Sequence, residues 1–378
     1  MKRKKVIFFQ YCLPDFYPPL LNKMEVFENE GWVVKTGIWN TRTLCSNFES
    51  EFPSRVIFRV HESEFRIIRL FSRLVYGIRM IAYRLGSGSC VWVFTDIKSV
   101  LFGALIAKFD KASKCVYVEY DSPGDAASFR LKLLKKCREY LCRNSELVII
   151  PCEQRANKFN DTVKPKTKPI VVFNVPTKRE ISLYSPGYEV VPTKIRLHYH
   201  GSFVPARMPL SIFDAIASLP DFSITIRALT PVPDYGYLSL VKQYISEKNI
   251  GNRVEILPAI SCWQGKIIPE SYELGLALFS DPSIDENLAS MWGASNKVFQ
   301  YMEAGIVPLI YSDEPGFKSN LGDVAIFINS LETNALVDQL KSISGSIDDL
   351  KERQNKGRAL VEEKYNFEYY FLPVVDSL

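Results

Sequence analysis

Short β-branched or aromatic runs alternate with longer stretches of helical apolar spacing along the first half of the chain. Apolar runs of four to eight residues are typical of buried strands, and spacings of three or four residues are typical of amphipathic helices. The predicted elements, in order, are VIFFQY, LLNKMEVFENEG, WVVKTGIW, RVIFRV, FRIIRLFSRLVYGIRMIAYRL, VWVFTD, KSVLFGALIAKF, KCVYVEYD, FRLKLLKKCREYLC, LVIIP and IVVF. This alternation predicts an open parallel sheet with helices on both faces.

The pattern stops from about Pro176 to Thr193, where turn residues occur without a period, and then restarts. The second half contains the predicted strands IRLHYHG, FSITIRAL, RVEILPA, LGLALFS, IVPLIY and VAIFIN, and ends in a helical region through Val361. We therefore predict an α/β protein with two Rossmann-like parallel-sheet domains that face each other across a cleft. The predicted boundaries are residues 1–178, a linker at 179–193, a second domain at 194–360, and a C-terminal segment at 361–378 that packs back on the first domain.

The most informative stretch is GASNKVFQYMEAGIVPLIYSD, Gly293 to Asp313. This stretch predicts a loop, then a helix that ends at Gly305, and then a buried strand. Ser295 can cap the helix, since a hydroxyl accepts hydrogen bonds from the free amides of the first turn. Lys297 then lies in that turn, where the helix dipole disfavours a cation. A phosphate shared between Lys297 and the amides would explain the lysine, and a solvated lysine on an ordinary helix is the alternative.

Composition excludes several classes of protein. The eight cysteines are scattered without a CxxC pair, and there are only three histidines, so neither a disulfide framework nor a metal site is indicated. No apolar run reaches the roughly 18 residues that a membrane-spanning helix needs. The basic start MKRKK precedes an apolar run that is too short for a signal peptide, and we predict a cytoplasmic protein.

Positive charge is concentrated in the first half of the chain. Residues 1–178 hold 30 Lys and Arg against 17 Asp and Glu, whereas the remainder holds 17 against 25. The helix FRIIRLFSRLVYGIRMIAYRL has five arginines and no acid, which is typical of a helix that lies on an anionic membrane surface. The alternative is that its apolar face packs on the sheet and its arginines are solvated. No nucleic-acid recognition motif is visible.

SNKVFQYMEAGIVPLI resembles the donor-binding segment of GT-B fold glycosyltransferases of the retaining kind named glycosyl transferases group 1. Three looser matches occur in the family's order: YHGSFVPAR, VVFNVP and EYDSP. The resemblance implies transfer of a sugar from a nucleoside-diphosphate-sugar donor to a hydroxyl of a glycan, often lipid-linked, in surface polysaccharide synthesis. It implies retention of the anomeric configuration and no cofactor. There is no Asp-x-Asp motif, so we expect no obligatory metal ion.

For the donor, the resemblance implies that Gly201 lets the backbone approach the diphosphate and that Arg207 and Lys297 neutralise it. Helix amides near Ser295 and Asn296 would assist. The family's pair of glutamates eight residues apart falls here on Trp292 and Gln300.

Gln300 is thus an uncharged candidate for the ribose hydroxyls. Glu286, displaced by a longer loop, is the candidate for the sugar hydroxyls and for a catalytic role. Glu303, one turn after Gln300, is the other acidic candidate on the donor side.

On the acceptor side, Pro123 occupies the position where the family often has a histidine. Asp121 is therefore the predicted catalytic or acceptor-orienting carboxylate, with Glu119 and Asp125 beside it, because a carboxylate at the end of a strand can reach an acceptor hydroxyl. The alternative is that Glu119 and Asp121 only cap the following turn.

His198 and His200 alternate along one strand, so both lie on the same face. His200 adjoins Gly201 and is a candidate for donor contact, and a structural role for both histidines is equally compatible with the pattern. Two other functions remain open. One is a nucleotide-sugar epimerase of the same build, which the shortage of histidines disfavours, and the other is a degenerate, non-catalytic protein that binds a glycan or a partner.

Overall fold

The computed structural model describes residues 4–40, 48–86, 88–124, 128–184, 194–229, 236–260, 266–269, 272–279 and 286–378, without the side chains of Asp15, Arg66 and Glu286. The chain forms two compact units. The first unit comprises Met1–Asn174 and Phe367–Leu378, and the second comprises Val175–Asn366.

The first unit is built on a parallel sheet of seven strands. These strands are β1 (Lys5–Phe9), β2 (Val33–Asn40), β3 (Val56–His61), β4 (Val91–Thr95), β5 (Lys114–Val118), β6 (Leu147–Ile150) and β7 (Ile170–Val171). The helices between them are α1 (Pro18–Asn29), α2 (Phe48–Glu51), α3 (Arg66–Leu85), α4 (Asp96–Phe109), α5 (Phe129–Asn144) and α6 (Glu153–Val163). The strand order is β3-β2-β1-β4-β5-β6-β7, so the direction of winding reverses between β1 and β4.

The strands of this sheet are apolar on both faces, as expected for a sheet that helices cover on both sides. Aromatic rings fill one face: Phe9 stacks on Phe102 of α4, and Trp92 stacks on Phe94. Tyr76 of α3 is fully buried against Phe9. Close packing of large rings fixes where the helices lie relative to the ends of the strands.

The second unit has a parallel sheet of six strands and its own core. Its elements are α7 (Lys178–Ser182), β8 (Ile195–Ser202), α8 (Ser211–Ser218), β9 (Phe222–Leu229), α9 (Tyr237–Glu247), β10 (Val254–Pro258), β11 (Leu274–Leu278), α10 (Asn296–Glu303), β12 (Val307–Tyr311), α11 (Pro315–Leu321), β13 (Ile326–Phe327), α12 (Thr333–Ser344) and α13 (Ile347–Glu363). The order β10-β9-β8-β11-β12-β13 reverses between β8 and β11. The last helix, α14 (Phe367–Asp376), belongs to the first unit.

The prediction of two Rossmann-like parallel-sheet domains is confirmed. Helix α6 was not predicted, because EQRANKFNDTV carries only three core residues, Ala156, Phe159 and Val163, among polar ones. The unit boundary lies at Asn174/Val175. The stretch predicted as linker begins within α7, whose Thr177 and Glu180 form a capping box.

Helix α3 does not match the alternative in which its apolar face packs on the sheet and its arginines are solvated. Its apolar residues do not all pack on the sheet, since Ile67, Phe71, Leu74 and Ile78 are exposed to solvent. Its arginines are not simply solvated either, because Arg84 pairs with Asp110 at 2.7 Å and Arg73 lies 3.9 Å from Glu62. Among the described residues, no helix combines the length and the apolar content needed to cross a bilayer.

Candidate functional site

The predicted order of loop, helix, glycine and strand is confirmed around Lys297. Helix α10 begins at Asn296, Gly305 follows it with φ +69°, and β12 is flanked by β11 and β13. Tyr301 fixes the helix on the sheet, because its hydroxyl donates to the Leu276 carbonyl at 2.9 Å. Ser295 takes the N-cap position, but its side chain accepts no hydrogen bond from the helix, so the expected cap is wrong.

Lys297 is a buried cation that lacks a polar partner. Its side chain is 8% exposed, and its Nζ makes no hydrogen bond within the described part of the chain. The ammonium lies 4.1 Å from the centroid of the Tyr199 ring. Burial first, and then the charge of Arg207, hold the pKa of Lys297 well below its usual range. Such a group is costly to bury unless an anion completes its environment.

Gly201 lies next to this ammonium. It occupies the carboxyl end of β8 with φ +109°, a conformation that favours glycine, and a Cβ placed there would lie 3.8 Å from Lys297 Nζ. The backbone at the end of β8 therefore approaches the lysine without an intervening side chain. This gives a ligand access to both the peptide backbone and the cation.

Arg207 supplies a second positive charge to the same region. It follows β8 in a turn closed by a hydrogen bond from its amide to the Val204 carbonyl at 2.9 Å. Its guanidinium carbon lies 5.7 Å from the centroid of the Phe279 ring, and Phe279 directly follows β11. The Arg207 charge acts on both Lys297 and Tyr199. The two cations therefore lie together where β8 and β11 end, at the reversal point of the sheet, which is where ligands of open α/β sheets bind.

His200 and Gln300 join the end of β8 to α10. His200 Nε2 lies 2.9 Å from Gln300 Oε1, so Nε2 carries the proton and donates. Burial, and next the Lys297 charge, lower the pKa of His200 to about 3, which keeps the imidazole neutral. His198 is fully buried, and its ring centroid lies 4.7 Å from that of Tyr272. Neither of its ring nitrogens has a hydrogen-bond partner among the described residues. Sequence reasoning named these residues singly and missed their pairing.

The remaining donor-side candidates divide into two groups. Ser295 and Asn296 lie at the start of α10 beside Lys297. Glu303 lies at the other end of the helix, where burial, and next the charge of Glu180, raise its pKa well above the usual range. Arg358 donates hydrogen bonds to the Glu303 and Ile181 carbonyls, which ties this end of α10 to α7.

The structure does not describe Glu286 beyond its backbone, which starts a short 3-10 helix. Glu314, which directly precedes α11, accepts hydrogen bonds at Oε2 from the amides of Met291 and Trp292 at 2.6 and 2.7 Å. This carboxylate thereby holds the loop that leads into α10.

On the acceptor side, Glu119 is buried in the first unit. Tyr117 donates to its Oε2 at 2.8 Å, and Arg138 lies 3.4 Å from the same oxygen. The Asp121 side chain is 73% exposed and lies 3.3 Å from Arg155. Glu119 is thus held by side chains of β5 and α5, and Asp121 pairs with Arg155 of α6. Asp125 lies outside the described residues.

Sequence reasoning missed Asp96, which directly follows β4. It has φ +56°, rare for a residue with a side chain, and its Oδ1 accepts from the Tyr120 amide at 2.8 Å. The sequence signal was its position at the end of a predicted strand. In the described ranges, no group of three or more His, Cys, Asp or Glu side chains is arranged to hold a metal ion.

Several solved structures resemble the whole chain in fold. Sucrose-phosphate synthase from Thermosynechococcus elongatus is 13% identical and superimposes with a TM-score of 0.73 over 99% of this chain and 98% of the other. HepE from Anabaena, in complex with UDP and glucose, is 13% identical with a TM-score of 0.71 over 99% of both chains. A glycosyltransferase from Rickettsia africae is 10% identical with a TM-score of 0.68 over 100% of this chain and 98% of the other.

No protein-family model and no curated protein matches the sequence, so the likeness is one of structure. The chain has the GT-B fold of these glycosyltransferases.

Proposed function

We propose that this protein is a glycosyltransferase that moves a sugar from a nucleoside-diphosphate-sugar donor to a hydroxyl of a glycan. The observation that carries the proposal is the unpartnered, buried Lys297 beside Gly201 and Arg207. A diphosphate would supply negative charge to balance these two cations. Its oxygens would accept hydrogen bonds from the first amides of α10. HepE is described in complex with UDP, so UDP is the first nucleotide to test.

In this proposal, Arg207 and Lys297 hold the diphosphate and stabilise the charge that develops on it as the sugar leaves. Gln300 hydrogen-bonds the ribose through its amide group, which His200 orients. Glu286 and Glu303 remain candidates for the sugar hydroxyls. Because fixed cations take the leaving-group charge, transfer needs no obligatory metal ion. The resemblance to the group 1 family supports retention of the anomeric configuration.

A second part of the proposal concerns the acceptor. Exposed apolar side chains lie on three helices of the first unit. We define the apolar face as Ile67, Phe71, Leu74 and Ile78 of α3, Leu101, Leu105 and Phe109 of α4, and Phe129 and Leu133 of α5. Ile67 is 81% exposed and Phe129 is 84% exposed. The cations Arg130, Lys132 and Lys136 of α5 are exposed beside it. Apolar side chains interleaved with cations suit an anionic bilayer, which supports a lipid-linked glycan as acceptor and a peripheral membrane location.

The test of function is a transfer assay with UDP-, GDP- and TDP-glucose as donors and octyl glucoside as an alkyl-glycoside acceptor, in buffer with and without EDTA. We expect release of the nucleoside diphosphate that depends on the acceptor, equal rates in EDTA, and product of retained configuration by NMR. Interconversion of the donor sugar without transfer would indicate an epimerase. Nucleotide binding without turnover of any donor would indicate a binding protein.

A further inference from the structure

Glu314 is a buried carboxylate whose side chain reaches out of its own helix. It takes the N-cap position of α11, but its side chain accepts no hydrogen bond from that helix, whose first residue is Pro315. Glu314 is 6% exposed, and its amide donates to Ser312 Oγ at 3.2 Å. The carboxylate contacts instead the loop that precedes α10, in the same unit.

The peptide group between Met291 and Trp292 joins Glu314 to the start of α10. Glu314 Oε2 accepts from the amides of Met291 and Trp292 at 2.6 and 2.7 Å, distances typical of charge-assisted hydrogen bonds. The Met291 carbonyl, at the other end of the same peptide group, accepts from the amides of Ala294 and Ser295 at 3.0 and 2.9 Å. Ser295 is the N-cap of α10, so a continuous chain of hydrogen bonds runs from the carboxylate to that helix.

Aromatic packing fixes the same loop on α11. The rings of Trp292 and Phe317 meet edge to face with centroids 5.6 Å apart, and a Cβ placed on Gly316 would lie 2.7 Å from the Trp292 ring. Phe317 also stacks on Phe279, whose ring lies next to the Arg207 guanidinium. The first turn of α11 therefore supports both the loop before α10 and the ring beside Arg207.

We infer that Glu314 is a positioning residue for the diphosphate of the donor, acting through the peptide group of Met291 and Trp292 on the start of α10. The inference rests on the proposed function and adds a residue to it. The Ser295 side chain does not cap α10, so the position of the first amides and of Lys297 depends on the loop before them. Because Glu314 orders that loop in advance, the diphosphate meets donors that are already in place, which increases its affinity.

The loop needs an acceptor oxygen at the correct distance, since both hydrogen bonds end on one oxygen of Glu314. Glutamine keeps the length of the side chain and supplies such an oxygen. Aspartate keeps the negative charge but is shorter by one methylene group, and alanine has no acceptor. The three replacements therefore separate the position of the oxygen from the charge.

The test measures UDP affinity by calorimetry and uridine affinity by NMR titration, at a temperature at which thermal unfolding shows each variant to be folded. We expect Glu314→Gln to bind UDP within threefold of wild type, and Glu314→Asp and Glu314→Ala to bind it at least tenfold more weakly. Uridine affinity should be the same in all of them, because uridine has no diphosphate. If Glu314→Ala does not fold, the difference between Glu314→Gln and Glu314→Asp provides the same test.

Glu273→Ala is the matched control for a merely structural effect. Glu273 is fully buried in the same unit, accepts from the Arg196 amide at 2.6 Å, and directly precedes β11, at the opposite edge of the sheet from the donor site. Its replacement should lower Tm but leave UDP affinity within threefold of wild type. Hydrogen exchange followed by mass spectrometry, without nucleotide, should be at least tenfold faster at residues 289–297 in Glu314→Asp and unchanged there in Glu273→Ala.

The outcomes separate this inference from the proposed function. A wild type that binds UDP while Glu314→Asp and Glu314→Ala bind it equally well overturns the inference alone. A loss of affinity that uridine shares, or that Glu273→Ala reproduces, overturns it too, because the effect would then be a general one on the fold. A wild type that binds no UDP overturns the proposed function and the role of Glu314 with it.

Discussion

The ammonium of Lys297 lies over the ring of Tyr199, 4.1 Å from its centroid, with no hydrogen-bond partner among the described residues. The face of an aromatic ring attracts a cation but does not replace its hydration shell. The remaining stabilisation must come from a ligand, and Gly201 keeps the space beside Nζ free of a side chain. In the free protein, the Lys297 ammonium at the start of α10 therefore has no hydrogen-bonding anion among the described residues.

Replacing Lys297 by methionine should stabilise the protein without ligand. The variant keeps most of the apolar contact with Tyr199 and removes a buried, unpartnered charge. We expect Tm to rise by roughly 2–4 °C, which corresponds to about 1 kcal/mol in a domain of this size. Thermal unfolding without nucleotide measures this. A lower Tm would mean that the lysine already has its partner within the protein.

Gly201→Ala should weaken nucleotide binding and stability together. The φ of +109° is strained for alanine, and the new methyl group would lie 3.8 Å from Lys297 Nζ, in the space assigned to the diphosphate. We expect UDP affinity to fall at least tenfold. Gly251→Ala in the same unit is the matched control, since a Cβ there meets nothing within 4 Å and its φ is ordinary. Equal UDP affinity in both variants would contradict the assigned position of the diphosphate.

The buried histidines should make the protein sensitive to acid. Burial lowers the pKa of His198 to about 2 and that of His200 to about 3, whereas both titrate near 6.5 when unfolded. As the pH falls below 6.5, the histidines therefore take up protons in the unfolded state but not in the folded state. The free energy of unfolding then decreases by about 1.4 kcal/mol per pH unit for each histidine. His198→Phe should flatten this dependence between pH 6.5 and pH 4.5. Urea unfolding at several pH values measures the slope, and an unchanged slope would show that His198 protonates in the folded state.

The apolar face should bind anionic vesicles. Each exposed apolar side chain that enters the lipid contributes about 1–3 kcal/mol. Replacing Ile67 and Phe71 together by serine should thus lower the partition coefficient for anionic vesicles at least tenfold. Flotation with phosphatidylglycerol-containing and pure phosphatidylcholine vesicles measures this, with Leu240→Ser, an exposed leucine of α9, as control. Binding that is equal for both lipids, or equal in both variants, would exclude the membrane role.

The strand and helix order was predictable because each element carries its own periodicity, as the segment from Asn296 to Tyr311 shows. The anion-binding role proposed for Lys297 could also be predicted from the sequence, because the unfavourable interaction between a cation and the helix dipole arises within a single helical turn. The hydrogen bond between His200 and Gln300 could not be predicted, because these residues are 100 positions apart and meet only through packing of α10 on the sheet. Asp96 was missed because its backbone conformation is visible only in three dimensions.

Helix α3 shows a further limit of the sequence. The pattern reveals apolar and cationic positions, but not which of them faces the protein. Here Arg84 pairs with Asp110 while Ile67 faces solvent, opposite to the usual arrangement of a soluble helix.

The most direct test of the account is calorimetric titration of UDP into wild type, Lys297→Met, Arg207→Gln and, as control, Lys242→Ala, which replaces an exposed lysine of α9. We predict that wild type and Lys242→Ala bind UDP equally and that Lys297→Met and Arg207→Gln each lose at least tenfold in affinity, with uridine binding weakly to all four. Equal UDP affinity in all four proteins would contradict the assignment of Lys297 and Arg207 to a diphosphate.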